Sequence, residues 1–198
     1  EDQVKKHFRS IDDFSAKIEA DPANPLNYYA RAMDFYLVQD FDNAIKDLDE
    51  TLKRDSTFVP AYFSRAVIYY KQLEFRKRDK TYELNPGDAQ AQNQVRTFDY
   101  NRIREDLDEV IRLAPDFVFA YYNRANILSV MKDYRAALAD YNKAIELDPK
   151  FAEAYYNRGL TNIYLGNNRQ GIQDLSKAGE LGLFSAYNII KRFTAPNE

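Results

Sequence analysis

The sequence lacks cysteine and tryptophan altogether, and it has one histidine among its 198 residues. Without cysteine there is no disulfide framework, no Cys-ligated zinc site and no thiol nucleophile. His7 alone does not make a histidine-rich metal site. The signatures of phosphate-binding loops, serine hydrolases and zinc proteases are also missing. We therefore expect no metal, no cofactor and no enzymatic activity.

A charge excess of either sign and long hydrophobic runs are missing as well. The chain has 28 Lys and Arg residues against 31 Asp and Glu, a net charge of −3, so it has no basic excess for binding nucleic acid. The sequence contains no run of about 18 apolar residues, so it predicts no transmembrane segment. Glycine (6) and proline (7) are scarce, whereas tyrosine (16) and phenylalanine (13) are abundant. Few helix breakers and many aromatic residues favour long helices packed through large side chains.

An internal repeat organises the sequence. Residues 26–56, 119–149 and 153–183 align without gaps, and the last two segments are offset by 34 residues. A fourth copy opens at Val59 and closes at Pro115, and the 25 residues 74–98 separate its halves. When each copy is numbered from 1 to 34, Tyr recurs at position 4, a small residue recurs at position 8, and position 20 is small in every copy except the second, which has Ile103. Position 8 is Ala32, Ala66, Ala125 and Gly159, and position 20 is Ala44, Ile103, Ala137 and Gly171. Small residues in these columns allow two helices to approach closely.

These columns resemble the tetratricopeptide repeat (TPR) family, whose unit is a helix–turn–helix of 34 residues. The resemblance implies an all-α, right-handed α-solenoid, in which the first helix of each repeat (helix A) packs on the second (helix B), with a C-terminal capping helix. We expect a single solenoid domain over residues 1–198. Its parts are a half repeat (1–24), four repeats (25–58, 59–117, 118–151 and 152–184) and the capping helix (185–198). Because the half repeat lacks its helix A, we expect more repeats N-terminal to it.

The inserted residues 74–98 fall at the turn between helices A and B of the second repeat. Good helix formers flank a turn signal at residues 85–88, which predicts a long helical hairpin rather than the alternative, a loop.

Two charged columns run through the repeats. Position 7 is Arg31, Arg65, Arg124 and Arg158, and position 23 is Asp47, Asp106, Asp140 and Asp174. Opposite charges that recur in phase on two helices favour bidentate ion pairs, within a repeat or between neighbours. The alternative is a binding site for a charged ligand.

In the TPR family, helices A line a concave groove, mainly through positions 2, 5, 9, 12 and 13. Position 5 is aromatic here, so the resemblance implies a Tyr-rich groove that contacts peptide; packing against the next repeat is the alternative. Some relatives bind a carboxylate through basic residues at positions 2, 5 and 6, and that basic clamp is absent. The groove candidates are Tyr29, Met33, Tyr36, Phe63, Val67, Tyr70, Tyr122, Asn123, Asn126, Tyr156, Asn157, Leu160 and Tyr164.

The function that this resemblance implies is binding of another protein or peptide, as an adaptor or assembly scaffold. A small-ligand binder, stacking a glycan or another aromatic molecule on the tyrosines, is the alternative, and self-assembly into a homo-oligomer is a third. The YYNRA and YYNRG segments and the ending AGELGLFSAYNIIKRF resemble bacterial multi-TPR proteins exported to the cell envelope, which implies a periplasmic or envelope location.

Overall fold

The computed structural model describes residues 2–78 and 89–194, with side chains over 4–76 and 99–193. All regular secondary structure in these ranges is α-helical, so the expected all-α TPR fold is confirmed. The helices are α1 (Asp2–Ala20), α2 (Pro25–Leu37), α3 (Phe41–Arg54), α4 (Val59–Arg78), α5 (Ala89–Leu113), α6 (Val118–Val130), α7 (Tyr134–Leu147), α8 (Ala152–Tyr164), α9 (Asn168–Glu180) and α10 (Ser185–Thr194). The chain divides into two compact units, residues 1–114 and 115–198.

In the first unit each helix packs on its neighbour along the chain, from α1 to α5. Helix α2 begins where Asn24 accepts a hydrogen bond from the Leu26 amide, with Pro25 in the first turn, a position that needs no N–H. The core lies between α2, α3 and α4. It contains the buried side chains Ala32, Ala44, Leu48, Leu52, Ala61 and Ile68.

The second unit repeats this arrangement from α6 to α9 and ends with α10 packed on α9. Ala186 of α10 is buried together with Leu175 and Ala178 of α9. The Tyr187 ring lies directly on Gly179, where an added Cβ would come within 2.5 Å of it. Helix α10 thus covers the apolar face that α9 would otherwise expose, as expected of a capping helix.

The small-residue columns set the spacing between helices A and B. Ala32, Ala44, Ala125 and Ala137 are fully buried. In the last repeat both positions are glycine, and the backbones come closer still. A Cβ on Gly171 would lie 2.7 Å from the Gly159 carbonyl oxygen and 2.5 Å from Ile163 Cγ1, which is closer than packed atoms tolerate.

The turn from helix A to helix B uses a left-handed residue at position 15. Gln39, Lys132 and Gly166 have φ values of 63°, 65° and 84° there. In the second repeat the residue at this position is Leu73, which is buried within α4. Helix α4 therefore continues to Arg78, and α5 begins at Ala89. The predicted hairpin turn at residues 85–88 lies outside the described residues.

Candidate functional site: the helix-A face

Two of the position-5 aromatic residues pack their rings against the last residue of their own repeat, and their hydroxyl groups reach helix A of the next repeat. The Tyr29 ring lies edge-on to Phe58 at 5.1 Å, and its hydroxyl is 3.2 Å from Ser64 Oγ. The Tyr122 ring lies 4.6 Å from Phe151. Both tyrosines are half-buried, so each one holds two repeats together and keeps part of its surface free for a ligand.

A hydrogen-bonded network joins helices A of the third and fourth repeats. Asn157 Nδ2 donates to Asn126 Oδ1 at 2.9 Å and to the Tyr122 hydroxyl at 3.0 Å. The hydroxyl of Tyr141, on α7, donates to the same Asn126 oxygen at 2.7 Å. Burial raises the pKa of the Tyr122 hydroxyl, although its hydrogen bonds to Asn126 and Asn157 act in the opposite direction. Burial raises the pKa of Tyr141 to about 12.

The other groove candidates fall into three groups. Met33, Tyr36, Tyr156 and Leu160 pack against the cores of their own units. Phe63 and Val67 are half-buried, and Asn123 donates to the Phe119 carbonyl oxygen of its own helix at 2.7 Å. Tyr70 and Tyr164 are the most exposed, at 39% and 68%. The structure therefore brings Tyr122, Asn126 and Asn157 together, while the remaining candidates contribute separately.

The Arg and Asp columns meet as bidentate ion pairs within each repeat. Their N···O distances lie between 2.5 and 2.9 Å, and the four aspartates are buried. The pairs are Arg31–Asp47, Arg65–Asp106, Arg124–Asp140 and Arg158–Asp174. The hydrogen bond to Asp47 raises the pKa of Arg31. Since the charges satisfy one another inside the helical pair, this geometry supports a structural role rather than a ligand site.

The same arginines also reach the preceding helix B, a contact that the sequence reasoning did not identify. Arg31 donates to Ser15 at 3.0 Å, Arg65 to Asp49 at 2.6 Å, and Arg158 to Asn142 at 2.7 Å. These acceptors occupy position 25 of the previous repeat or half repeat. Each of the three arginines thus connects three helices. The signal in the sequence is a short polar side chain at position 25.

A second polar cluster lies between α1 and α2 and was also missed. The buried carboxylate of Asp34 lies 2.8 Å from His7 Nδ1 and accepts a hydrogen bond from Ser10 at 2.6 Å. Ser10 bonds to the aspartate and not to the histidine, so this arrangement differs from a catalytic triad, in which the histidine activates the serine. The cluster attaches α1 to the first repeat.

Within the described residues, no group of three or more His, Asp or Glu side chains is placed to hold a metal ion. None of the helices in that part of the chain has the length and apolar character needed to cross a membrane.

Comparisons with known proteins found similar sequences and similar folds. Two tetratricopeptide repeat family models match, over residues 118–151 and 140–173. The TPR and J domain-containing co-chaperone DNJ1 of Cryptococcus neoformans var. grubii is 30% identical over 82 residues, 40% of this chain, and the match spans 16% of the length of that relative. Residues 118–173 of the chain therefore match the tetratricopeptide repeat family.

Solved structures resemble the fold over most of the chain. A crystal structure of MamA has a TM-score of 0.71 at 20% identity, and the match covers 89% of each chain. The first TPR domain of Spaghetti (RPAP3), solved with an HSP90 peptide, has a TM-score of 0.55 at 16% identity and covers 72% of this chain and 93% of its own. At these identities the likeness shows the TPR fold alone.

Proposed function

We propose that the protein binds another protein or a peptide through the helix-A face of its repeats, and that it acts as an adaptor or assembly scaffold without catalysis of its own. The TPR fold supports this proposal, because its packed helices hold the side chains of helix A in fixed positions. A preorganised surface loses little conformational entropy when a ligand binds.

The observation that carries the proposal is the network of Tyr122, Asn126 and Asn157 on α6 and α8. Asn157 uses its amide nitrogen for two hydrogen bonds, whereas no described residue donates to its Oδ1 atom. A carbonyl oxygen held in this way can accept a hydrogen bond from a peptide N–H. The half-buried Tyr122 ring beside it offers an apolar surface for a side chain of the same peptide.

The test is selection of ligands from a phage-displayed peptide library with the full chain, followed by titration of variants with the selected peptide. Asn157→Ala removes the amide, and we expect about fivefold weaker binding, because one hydrogen bond contributes about 1 kcal/mol. Asn188→Ala is the matched control, because Asn188 is exposed on α10. Equal affinity of the Asn157→Ala and Asn188→Ala proteins would refute the use of this face.

One observation favours the second candidate, a binder of ring-bearing small molecules such as glycans. Tyr164 is 68% exposed, and its ring lies 4.7 Å from the ring of Tyr134. Exposed aromatic rings of this kind can stack on a sugar or another ring. Saturable quenching of tyrosine fluorescence by glycans, lost in Tyr164→Ala and unaccompanied by any peptide binding, would favour this candidate over the adaptor.

A further inference from the structure

A cavity of about 520 Å³ lies at the N-terminal ends of α6 and α8, beside the network described above. The first turn of α6, the α7–α8 connection with the start of α8, and the α9–α10 turn form it. Its lining is Phe119, Asp148, Lys150, Phe151, Ala152, Glu153, Leu181, Gly182 and Leu183. Its volume lies within the range of small-ligand pockets.

The apolar part of this cavity is aromatic and only partly covered. Phe119 lies edge-on to Phe117 at 6.0 Å and to Phe151 at 5.5 Å, yet it remains 52% exposed. Leu183 adds a half-buried aliphatic side chain from the α9–α10 turn. The Phe151 ring also contacts Tyr122 at 4.6 Å. Phe151 therefore connects the cavity to the helix-A network.

The charged part of the lining carries two carboxylates and one ammonium group. Asp148 accepts a hydrogen bond from the Lys150 amide at 2.9 Å. Glu153 is exposed, and it makes no side-chain hydrogen bond or ion pair within the part of the chain that the structure describes. The Lys150 side chain is exposed at the rim. The lining thus has one net negative charge beside two phenylalanine rings.

The chemistry of this lining discriminates between classes of occupant. A purely apolar group would remove Glu153 from water without a partner, which costs free energy. An anion could pair with the Lys150 ammonium group at the rim but would face two carboxylates. A cation on an apolar stem satisfies both parts, because its stem lies along the rings while its charge meets the carboxylate and the ring faces.

We propose that this cavity binds a lysine or arginine side chain of the peptide that occupies the helix-A face. The inference rests on the proposed function, since a peptide lying along Tyr122 and Phe151 would place one of its side chains beside Phe119. Where the basic clamp of other TPR proteins carries Lys or Arg, this chain has Phe119 and Glu153 at position 2, and the selected charge is reversed.

The experiment is an NMR titration of the full ¹⁵N-labelled chain with acetyl-Gly-Leu-Lys-Leu-Gly-amide and with matched peptides carrying norleucine or glutamate instead of lysine. We expect saturable shifts of the Phe119, Glu153 and Leu183 amides. We also expect at least about threefold tighter binding of the lysine peptide than of the norleucine peptide, from one exposed ion pair and one cation–π contact.

Variants separate this inference from the proposed function, peptide binding at the helix-A face. Glu153→Gln should reduce the preference for lysine over norleucine to the part that the cation–π contact provides, and Phe119→Ala should weaken binding of the lysine peptide about threefold. Glu146→Gln, the same change at an exposed site on α7, should leave the preference intact. Equal binding of all three peptides, preference for glutamate, or the absence of shifts at the cavity amides would overturn the inference. If Asn157→Ala has no effect on binding while Glu153→Gln reduces the preference for lysine, the helix-A proposal fails and the cavity stands as an isolated site.

Discussion

Breaking the ion pair of the last repeat at its arginine should strongly destabilise the protein. In Arg158→Met the carboxylate of Asp174 loses two hydrogen bonds, of 2.9 and 2.6 Å. Its one remaining side-chain donor among the described residues is Asn162, at 3.4 Å. The Asp174 side chain is 3% exposed, so its charge depends on these protein donors rather than on water. The substitution leaves a buried charge nearly unpaired.

The expected loss follows from this burial. Removing one partner of a buried pair costs about 3–5 kcal/mol. We expect a value near the lower end, about 3 kcal/mol, because the Arg158 side chain is 17% exposed and its replacement admits some solvent. Adding Asp174→Leu to this variant removes the stranded charge, so the double variant should regain about 1–2 kcal/mol.

Urea denaturation followed by far-UV circular dichroism measures these free energies of unfolding. Glu180→Gln is the control, because Glu180 forms an exposed pair with Lys177 on the same helix, and we expect a change of less than about 0.5 kcal/mol. A loss below about 1 kcal/mol in Arg158→Met, or a double variant less stable than the single one, would refute the role assigned to the pair.

Three further changes test other parts of the fold. Gly171→Ala should cost about 1–2 kcal/mol in the same denaturation experiment, because the new Cβ would lie 2.7 Å from the Gly159 carbonyl oxygen and the clash exceeds the gain in helix propensity. Asp133→Ala should cost about 1 kcal/mol, since Asp133 caps α7 by accepting from the Ala136 amide at 3.2 Å. Burial raises the pKa of Tyr141 to about 12, above its ordinary value near 10, so its stabilising contribution is complete below pH 10 and is lost as the pH rises through 12. Between pH 10 and 12 the free energy of unfolding of the Tyr141→Phe protein should therefore fall by about 2 kcal/mol less than that of the parent protein.

Each of these expectations has a contrary result. An unchanged or stabilised Gly171→Ala protein would mean that α8 and α9 can separate without loss. An Asp133→Ala protein as stable as its parent would show that the Asp133 cap does not stabilise α7. Parallel pH profiles for Tyr141→Phe and its parent would show that another tyrosine controls the alkaline transition.

The helical pairs could be predicted from the sequence because their packing recurs. Small residues at positions 8 and 20 indicate a close contact between two helices. Because the pattern recurs in phase in four copies, it favours a stack of helical pairs over other folds. The Arg and Asp columns were identifiable for the same reason. The structure shows these side chains as pairs within each repeat, such as Arg158 with Asp174.

The sequence did not reveal two kinds of contact. One kind joins residues that occur once, and the other joins residues at a repeat position where the amino-acid type varies. Position 25 is Ser15, Asp49 and Asn142, three side chains that share a hydrogen-bond acceptor but not a charge. The cluster of His7, Ser10 and Asp34 occurs once. The cavity beside Phe119 depends on how the start of α6 lies relative to two turns, and residue spacing within one helix carries no information about the distances between helices.

The left-handed residue at position 15 has a consequence for how such chains acquire new parts. This residue forms the turn between helices A and B, so length added here leaves the packed faces of the two helices unchanged in sequence. The second repeat illustrates this, because Leu73 replaces the left-handed residue and the helix simply continues. The tight turn at Lys132 is the equivalent place in the third repeat. We expect that a fluorescent reporter or an affinity tag inserted at Lys132 would leave the packing of α6 on α7 intact.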